Sequence, residues 1–204
     1  MNKLIIVGAF SEIVELAEDN GNIILGFFDN LKTESYFGYP ILGTDELAVE
    51  LVSTYKNIPL VITPDNPIVR EMLYFKYLSI GYTFLNLVSK EAKVSKSATI
   101  AEGAIVQSGV NISSESYIGK FVKLNTNCNV MHNCRIEDFT TVAPNAVILG
   151  YISIGKRCYI GSNATILPNI TITDDVTIGA GSVVTRNIYE SGIYIGSPAK
   201  FLKK

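Results

Sequence analysis

The sequence predicts an α/β domain followed by a parallel β-helix, and two observations carry this prediction. Residues 1–88 alternate between short apolar runs and amphipathic segments, the order typical of a parallel sheet covered by helices. From residue 94 onward, an aliphatic residue recurs at every sixth position sixteen times without a gap. A fixed six-residue period is typical of a parallel β-helix. We therefore expect a domain at 1–88 and a second domain at 89–204.

The first domain is predicted to alternate strands and helices, with strands at 3–8, 22–28, 58–63 and 82–88. Helices are expected after Ser11, after Thr44 and after Asn66, because each of these side chains can cap a first turn. Pro67 suits the first position of the third helix and Gly81 its end. This order implies a small parallel sheet with Rossmann-like topology, a fold that binds ligands at the carboxyl ends of its strands.

In the second domain, three six-residue repeats would form one triangular coil of 18 residues. The first residue of each repeat and the smaller fifth residue point inward and stack on their equivalents one coil away. With strands about 4.8 Å apart, the prism would be on the order of 25 Å tall. The sixteen first positions are Val94, Ile100, Val106, Ile112, Ile118, Leu124, Val130, Ile136, Val142, Ile148, Ile154, Ile160, Ile166, Ile172, Ile178 and Val184.

Composition excludes several classes of protein. A formal net charge of -2 and a pI near 5.5 give no reason to expect a nucleic-acid partner. The sequence has no apolar stretch of the roughly 18 residues that cross a membrane, and its start does not resemble a signal peptide, so we expect a cytoplasmic protein. An odd number of cysteines argues against a disulfide framework. Cys128, Cys134 and Cys158 all occupy the inward fifth position and are interpreted as core residues.

His132 is the only histidine in the chain. It is the third residue of its repeat, which faces outward near a corner of the prism. A role in packing the interior is therefore excluded. The repeat alone leaves two interpretations open, a catalytic imidazole or an incidental surface residue.

The end of the repeat, "ISIGKRCYIGSNATILPNITITDDVTIGAGSVVTRNI", and the "GSPAK" at 196–200 resemble the left-handed β-helix acyltransferases that use acyl-CoA. Together with the first domain, the whole chain resembles the bacterial nucleotide-4-amino-sugar N-acetyltransferases and the related sialic acid O-acetyltransferases. The resemblance implies a left-handed coil and a homotrimer with coenzyme A in a groove between subunits. It also implies direct acetyl transfer from acetyl-CoA to the amino group of a nucleotide-linked 4-amino-4,6-dideoxy sugar, for bacterial surface glycans, without a metal or an acyl-enzyme.

The resemblance assigns roles to residues of the prism. In "LNTNCNVMHNCRIEDFTTVAPNA", His132 falls on the general base and Asn125 on a residue beside the acceptor sugar. Gly150, one coil beyond His132, falls on a backbone N–H that holds the acetyl carbonyl. The expected coenzyme A contacts are Thr141, Gly150, Ser162, Ala180 and Lys200.

Three positions depart from the family pattern. The family usually has an acidic residue directly after the histidine, and this chain has Asn133 there, so Asp138 or Glu137 is a candidate substitute. A second histidine of the family is replaced by Thr141. The first loop, "GAFSE", has one glycine, so nucleotide binding would rely on Gly8, Phe10, Asp29, Asn30, Thr63 and Pro64, several of which also suit ordinary turns.

The sequence leaves competing functions open. An O-acetyltransferase acting on a sialic acid would use the same base, although the amide neighbour of His132 favours an amine as the better nucleophile. A γ-type carbonic anhydrase needs three histidine ligands for zinc, and one histidine excludes it. A non-catalytic nucleotide-sugar binding protein would have no reason to combine His132, Gly150 and "GSPAK".

Overall fold

The computed structural model describes residues 2–202. Its first domain contains a five-stranded sheet in the order β3-β4-β2-β1-β5, in which β1, β2, β4 and β5 are parallel and β3 pairs antiparallel with β4. The strands are β1 Lys3–Val7, β2 Ile23–Phe28, β3 Ser35–Tyr36, β4 Tyr39–Gly43 and β5 Leu60–Ile62. The strands β2 and β5 pair with opposite sides of β1. At such a reversal of strand order, a crevice opens at the carboxyl ends of the adjacent strands, here β1 and β5.

Three helices cover this sheet, namely α1 Ser11–Asp19, α2 Leu47–Tyr55 and α3 Pro67–Ile80. The predicted ends of α3 are confirmed, because the Asn66 side chain accepts from two backbone N–H groups and Gly81 adopts a left-handed conformation. Ser11 is not a cap, since α1 begins at Ser11 itself and Phe10 precedes it without a side-chain hydrogen bond.

Two features of the first domain differ from the prediction. The β3–β4 hairpin at 35–43 was not predicted, because its strands are short and partly exposed. The expected fourth strand at 82–88 forms only an isolated bridge between Phe84 and Leu60. Its last residues, β6 Leu87–Val88, pair instead with a prism strand, so the prism begins one repeat earlier than the aliphatic pattern indicated.

The second domain is a triangular prism of parallel strands, as the six-residue repeat predicts. From β6 to β22, partner residues on each face are 18 positions apart, whereas β21 and β23 at the end of face one pair 16 positions apart and β24 is antiparallel. Face one contains β6 Leu87–Val88, β9 Ile105–Val106, β12 Lys123–Leu124, β15 Thr141–Val142, β18 Tyr159–Ile160, β21 Val176–Ile178, β23 Gly192–Ile195 and β24 Lys200–Phe201. Face two contains β7 Lys93–Val94, β10 Asn111–Ile112, β13 Asn129–Val130, β16 Val147–Ile148, β19 Thr165–Ile166 and β22 Val183–Val184. Face three contains β8 Thr99–Ile100, β11 Tyr117–Ile118, β14 Arg135–Ile136, β17 Ser153–Ile154 and β20 Thr171–Ile172.

The prism core consists of the predicted inward columns. Every first position from Val106 to Val184 is buried, whereas Val94 and Ile100 are less covered because they lie in the first coil. Each buried aliphatic side chain contributes roughly 1.5–3 kcal/mol relative to an exposed one. The regular stack therefore accounts for the stability of a domain whose strands are mostly two residues long.

Turns between faces form three edges of the prism. The first edge joins face one to face two (turns 125–128, 143–146, 161–164 and 179–182). The second edge joins face two to face three and includes turns 113–116, 131–134 and 149–152. The third edge joins face three to face one and includes turns 101–104, 119–122, 137–140 and 155–158. Most turns contain one residue with positive φ, usually glycine or asparagine, the residues that adopt this conformation most readily.

The first domain packs against face one and the third edge. Arg70 of α3 is fully buried there and donates to the backbone oxygens of Phe121 and Phe139 at 2.7 and 2.6 Å. Burial lowers the pKa of Arg70 to about 10, although the Asp65 charge opposes the shift, so the guanidinium stays charged at neutral pH. The rings of Phe121 and Phe139 belong to the core of the first domain, which fixes its position relative to the prism.

Candidate active site

His132 lies on the second edge and its side chain is exposed. Gly150 is directly adjacent, because a Cβ added to Gly150 would lie 2.7 Å from His132 Cε1 and 2.9 Å from Nε2. Within residues 2–202 the Gly150 N–H donates no hydrogen bond, while its carbonyl accepts from Asn169. The imidazole ring and a residue whose backbone N–H is free are therefore neighbours, and a base next to a free N–H is the combination that proton transfer beside a developing oxyanion requires.

Two neighbours hold the ring on its other sides. Tyr151 meets His132 edge-on with ring centroids 5.2 Å apart. Asn133 Oδ1 lies 3.0 Å from His132 Nδ1, and Asn133 Nδ2 donates to Glu115 Oε2 at 2.6 Å. Sequence reasoning missed Glu115, although it stands 18 residues before Asn133 and the coil period places it directly beneath.

Asp138 and Glu137, considered as substitutes for the missing acidic neighbour, belong to a different edge. Asp138 accepts from the Lys120 N–H and lies 3.5 Å from Lys156 Nζ, while Glu137 pairs with Arg135. Both follow β14, whereas His132 precedes it. Asp138 was therefore wrong as a partner of His132, because six residues of extended chain separate their edges by up to about 20 Å.

The first edge carries Asn125, Ser162 and Ala180, the last two 18 residues apart and stacked in successive coils as predicted. Ser162 is half-buried and Ala180 exposed, and neither N–H donates a hydrogen bond within the described range. Lys200 is exposed on β24, which pairs antiparallel with β23 at the end of face one. Asn125, Ser162 and Ala180 lie on the first edge and Lys200 on face one, whereas His132 lies on the second edge. A single chain therefore does not bring these residues next to His132.

Thr141 was predicted to contact the cofactor, and the structure places it elsewhere. Its side chain is fully buried. Its hydroxyl donates to the Asp65 carbonyl at 2.7 Å and accepts from Arg70 Nη2 at 2.9 Å. Thr141 thus belongs to the interface between the domains, where no cofactor reaches it.

Five of the six predicted substrate-binding residues line one cavity of about 220 Å³. It opens at the carboxyl ends of β1, β2 and β5, the crevice expected for a ligand in this topology. Its predicted lining residues are Gly8, Phe10, Asp29, Thr63 and Pro64. Asn30 is the exception, because its amide donates to Asp45 Oδ2 at 2.7 Å and accepts from the Asp45 N–H.

The cavity contains a carboxylate that remains ionised. Asp29 accepts backbone hydrogen bonds from Ala9 at 2.7 Å, Leu31 at 2.7 Å and Lys32 at 2.8 Å. Burial acts to raise the pKa of Asp29, but these hydrogen bonds outweigh it and the pKa is lowered. Asp29 therefore fixes the Gly8–Phe10 loop and still presents negative charge to a ligand.

The prism adds two side chains to the surroundings of this cavity, Lys123, which the sequence analysis missed, and Asn125, which it expected beside the acceptor sugar. Lys123 of face one reaches into it, with Nζ 2.8 Å from Asp65 Oδ1 and 2.8 Å from the Thr63 carbonyl. The same Nζ lies 4.8 Å from the Phe10 ring centroid. Asn125 Nδ2 lies 3.4 Å from Asp65 Oδ1. A hydrogen bond therefore connects the lining of the cavity to the first edge of the prism.

The three cysteines are buried and free, as predicted. Burial raises the pKa of Cys128 and of Cys158 to about 12 in each case. Neither thiol is a nucleophile at neutral pH.

Within residues 2–202, no group of three metal-ligating side chains comes together. The helices of the same residues are all too short or too polar to span a bilayer.

Comparisons with known proteins agree with this geometry. The family described as "Bacterial transferase hexapeptide (six repeats)" matches residues 151–186. The GDP-perosamine N-acetyltransferase of Escherichia coli O157:H7 is 30% identical over 170 residues, which are 83% of this chain and 67% of that protein. The UDP-3-O-acylglucosamine N-acyltransferase of Bordetella pertussis is 34% identical over 109 residues, and this chain spans only 28% of its length.

Two solved structures cover essentially the whole chain. PerB from Caulobacter crescentus, in complex with CoA and GDP-perosamine, is 28% identical with a TM-score of 0.93, over 100% of this chain and 98% of that one. The acetyltransferase domain of PglB from Neisseria gonorrhoeae, in complex with acetyl coenzyme A, is 30% identical with a TM-score of 0.91, over 99% and 100%.

Proposed function

Because the chain belongs to the family of hexapeptide-repeat, left-handed β-helix sugar N-acetyltransferases, we propose that it transfers the acetyl group of acetyl-CoA to the amino group of a nucleotide-linked 4-amino-4,6-dideoxy sugar. The observation that carries the proposal is the pairing on the second edge. There Gly150, with a free N–H, lies against the ring of the only histidine.

The chemistry needs one base and one oxyanion donor. The neutral amine of the sugar attacks the thioester carbonyl, and His132 Nε2 takes the proton that the nitrogen loses as the new bond forms. The Gly150 N–H donates to the oxygen of the tetrahedral intermediate. The intermediate then collapses, the carbon–sulfur bond breaks, and the imidazolium returns its proton to the leaving thiolate. No acyl-enzyme forms, which agrees with three buried cysteines.

We infer that each site combines two subunits of a homotrimer. The candidate coenzyme A contacts Ser162 and Ala180 lie on the first edge, and His132 lies on the second. One face of the prism, up to about 20 Å wide, separates these edges within a chain. If the first edge of one subunit faces the second edge of the next, the acetyl thioester meets the imidazole. Lys200 would then contact the adenine and phosphate end of the cofactor.

The cavity of the first domain is proposed to hold the nucleotide. Asp29 suits ribose or base donors, and Gly8, whose φ of +84° favours glycine, lines the cavity with backbone alone. The cavity lies beside Lys123 and Asn125 at the first edge, so a bound nucleotide would direct its sugar toward the groove between subunits. We also propose that this domain has Rossmann-like topology. We further propose that the protein is located in the cytoplasm, where acetyl-CoA is made.

One experiment separates this function from its nearest alternative. Purified protein is incubated with acetyl-CoA and a panel of GDP-, UDP- and dTDP-linked 4-amino-6-deoxy sugars, or with free sialic acid, while released thiol is measured. We expect thiol release with at least one nucleotide amino sugar and an N-acetylated product. Release with sialic acid alone would establish the O-acetyltransferase instead. No release with either class would leave a nucleotide-sugar binding protein.

A further inference from the structure

Three side chains on the second edge form a connected series that ends at the imidazole. Glu115 and Asn133 occupy equivalent turn positions in successive coils, 18 residues apart. The Asn133 amide donates from Nδ2 to Glu115 Oε2 at 2.6 Å, and its Oδ1 lies 3.0 Å from His132 Nδ1. Glu115 makes no ion pair with a cation within residues 2–202, so its carboxylate is engaged by the Asn133 side chain.

The chemistry of these groups fixes the direction of both hydrogen bonds. An ionised carboxylate only accepts, so the amide must present its NH₂ group to Glu115. The amide oxygen then faces the imidazole, and an oxygen only accepts, so His132 Nδ1 must carry the hydrogen. In the neutral ring, Nε2 then has the lone pair. Nε2 is also the ring nitrogen nearer to Gly150, 2.9 Å from where a Cβ would stand, against 3.3 Å for Nδ1.

The backbone at Glu115 supports a specific role for this side chain. Its φ is +57°, a conformation that side chains other than asparagine and glycine adopt at a cost. Three other exceptions at such turns make specific contacts. Phe121 and Phe139 fill the core of the first domain, and Arg157 binds Glu71 and Asp175. Glu115 has one comparable contact, the hydrogen bond from Asn133.

We propose that Glu115 is a positioning residue for His132, acting through the Asn133 amide to hold the imidazole as the Nδ1–H tautomer with Nε2 free to accept a proton. This inference rests on the proposed function and assigns the role left open by an amide in place of an acidic neighbour. In this role Glu115 contacts Asn133 and neither substrate nor cofactor. Its carboxylate keeps the Asn133 amide from rotating by 180°. The amide oxygen then keeps the hydrogen of the neutral imidazole on Nδ1 rather than on Nε2.

The single histidine makes the tautomer directly measurable. In full-length protein labelled with ¹⁵N-histidine, the two ring nitrogens give one pair of signals, and we expect the neutral ring to be protonated at Nδ1. Glu115→Gln keeps the shape of the side chain, but its amide can present either oxygen or NH₂ to Asn133. The Asn133 amide can then turn its NH₂ toward His132 Nδ1, and a substantial population of the Nε2–H tautomer should appear. In the same variant, kcat should fall about tenfold, as for other partners that orient a reacting group, while the KM for acetyl-CoA stays within twofold. Glu102→Gln removes an equal charge from an exposed turn of the third edge and should change neither.

A rescue experiment distinguishes positioning from a structural role. Asn133→Asp alone places two carboxylates 2.6 Å apart, where like charges repel, and should lower kcat at least as much as Glu115→Gln. In the double variant Glu115→Gln/Asn133→Asp, the introduced carboxylate accepts directly from Nδ1–H and the neutral amide at 115 can donate to it. We expect kcat within threefold of the wild type, which independent effects would not give.

The outcomes separate this inference from the proposed function. An Nε2–H tautomer in the wild type, an unchanged spectrum and kcat in Glu115→Gln, or a double variant as slow as the product of the single effects would each overturn the positioning role. The Nδ1–H tautomer and its dependence on Glu115, found in a protein that acetylates no sugar, would support the positioning and reject the proposed acetyl transfer.

Discussion

Gly150→Ala should abolish most activity and leave the fold intact. The added Cβ would stand 2.7 Å from His132 Cε1, about 0.7–1 Å closer than an ordinary carbon contact. Gly150 lacks the positive φ that makes alanine costly, and His132 is exposed, so the ring can move aside. Stability should therefore change by less than about 1 kcal/mol. A displacement of about 1 Å costs on the order of 100-fold in rate, or about 2.7 kcal/mol in the activation barrier.

The assay compares kcat from thiol release with thermal unfolding of the same samples. Gly119→Ala is the matched control, because its Cβ would meet the Asp138 backbone nitrogen at 2.8 Å on the third edge. It should lower the unfolding temperature and leave kcat nearly unchanged below that temperature. A Gly150→Ala enzyme with kcat within threefold of the wild type would refute the placement of His132 against Gly150.

Other changes give equally definite expectations. His132→Ala should lower kcat by about 10²- to 10⁴-fold with little change in acetyl-CoA affinity, and turnover within threefold of the wild type would remove His132 as the base. Asp29→Ala should raise the KM for the nucleotide sugar more than it lowers kcat; an unchanged KM would place the nucleotide elsewhere. Glu115→Asn should relieve a left-handed backbone that costs about 1–2 kcal/mol and lose one hydrogen bond of about 0.5–1.5 kcal/mol. We therefore expect a fold at least as stable as the wild type with a lower kcat, and a clearly less stable variant in denaturant would contradict this. Replacing Cys128, Cys134 and Cys158 together by alanine should lower stability but leave activity unchanged. An inactive variant that still folds would contradict their role as core residues.

The sequence predicted the prism well because its repeat ties every coil to the same physical requirement. An inward aliphatic column has only one way to stack, so the positions of Val106 to Val184 and the cysteines followed directly from the period. The exposed edge position of His132 followed from the same period. Helix α3 was equally predictable, since Asn66, Pro67 and Gly81 are strong local signals.

Contacts between the domains could not be predicted in this way. Thr141 was interpreted as a cofactor ligand because nothing local reveals that α3 brings Arg70 over its hydroxyl. Lys123 is an ordinary outward residue of a strand until the first domain covers it. Asp138 is close to His132 in sequence, yet one face of the prism separates them, whereas Glu115 is distant in sequence and contacts Asn133 next to His132. Applying the 18-residue period to Asn133 would have found Glu115.

The measurement that tests the central claim most directly is acetyl transfer by full-length protein, compared with His132→Ala under identical conditions. Wild-type enzyme with acetyl-CoA and the panel of nucleotide-linked 4-amino-6-deoxy sugars should release thiol and yield an equal amount of N-acetylated sugar. The variant should bind acetyl-CoA but turn over at least 100-fold more slowly. Equal rates for the two proteins, or thiol release without an N-acetylated product, would contradict acetyl transfer with His132 as the base.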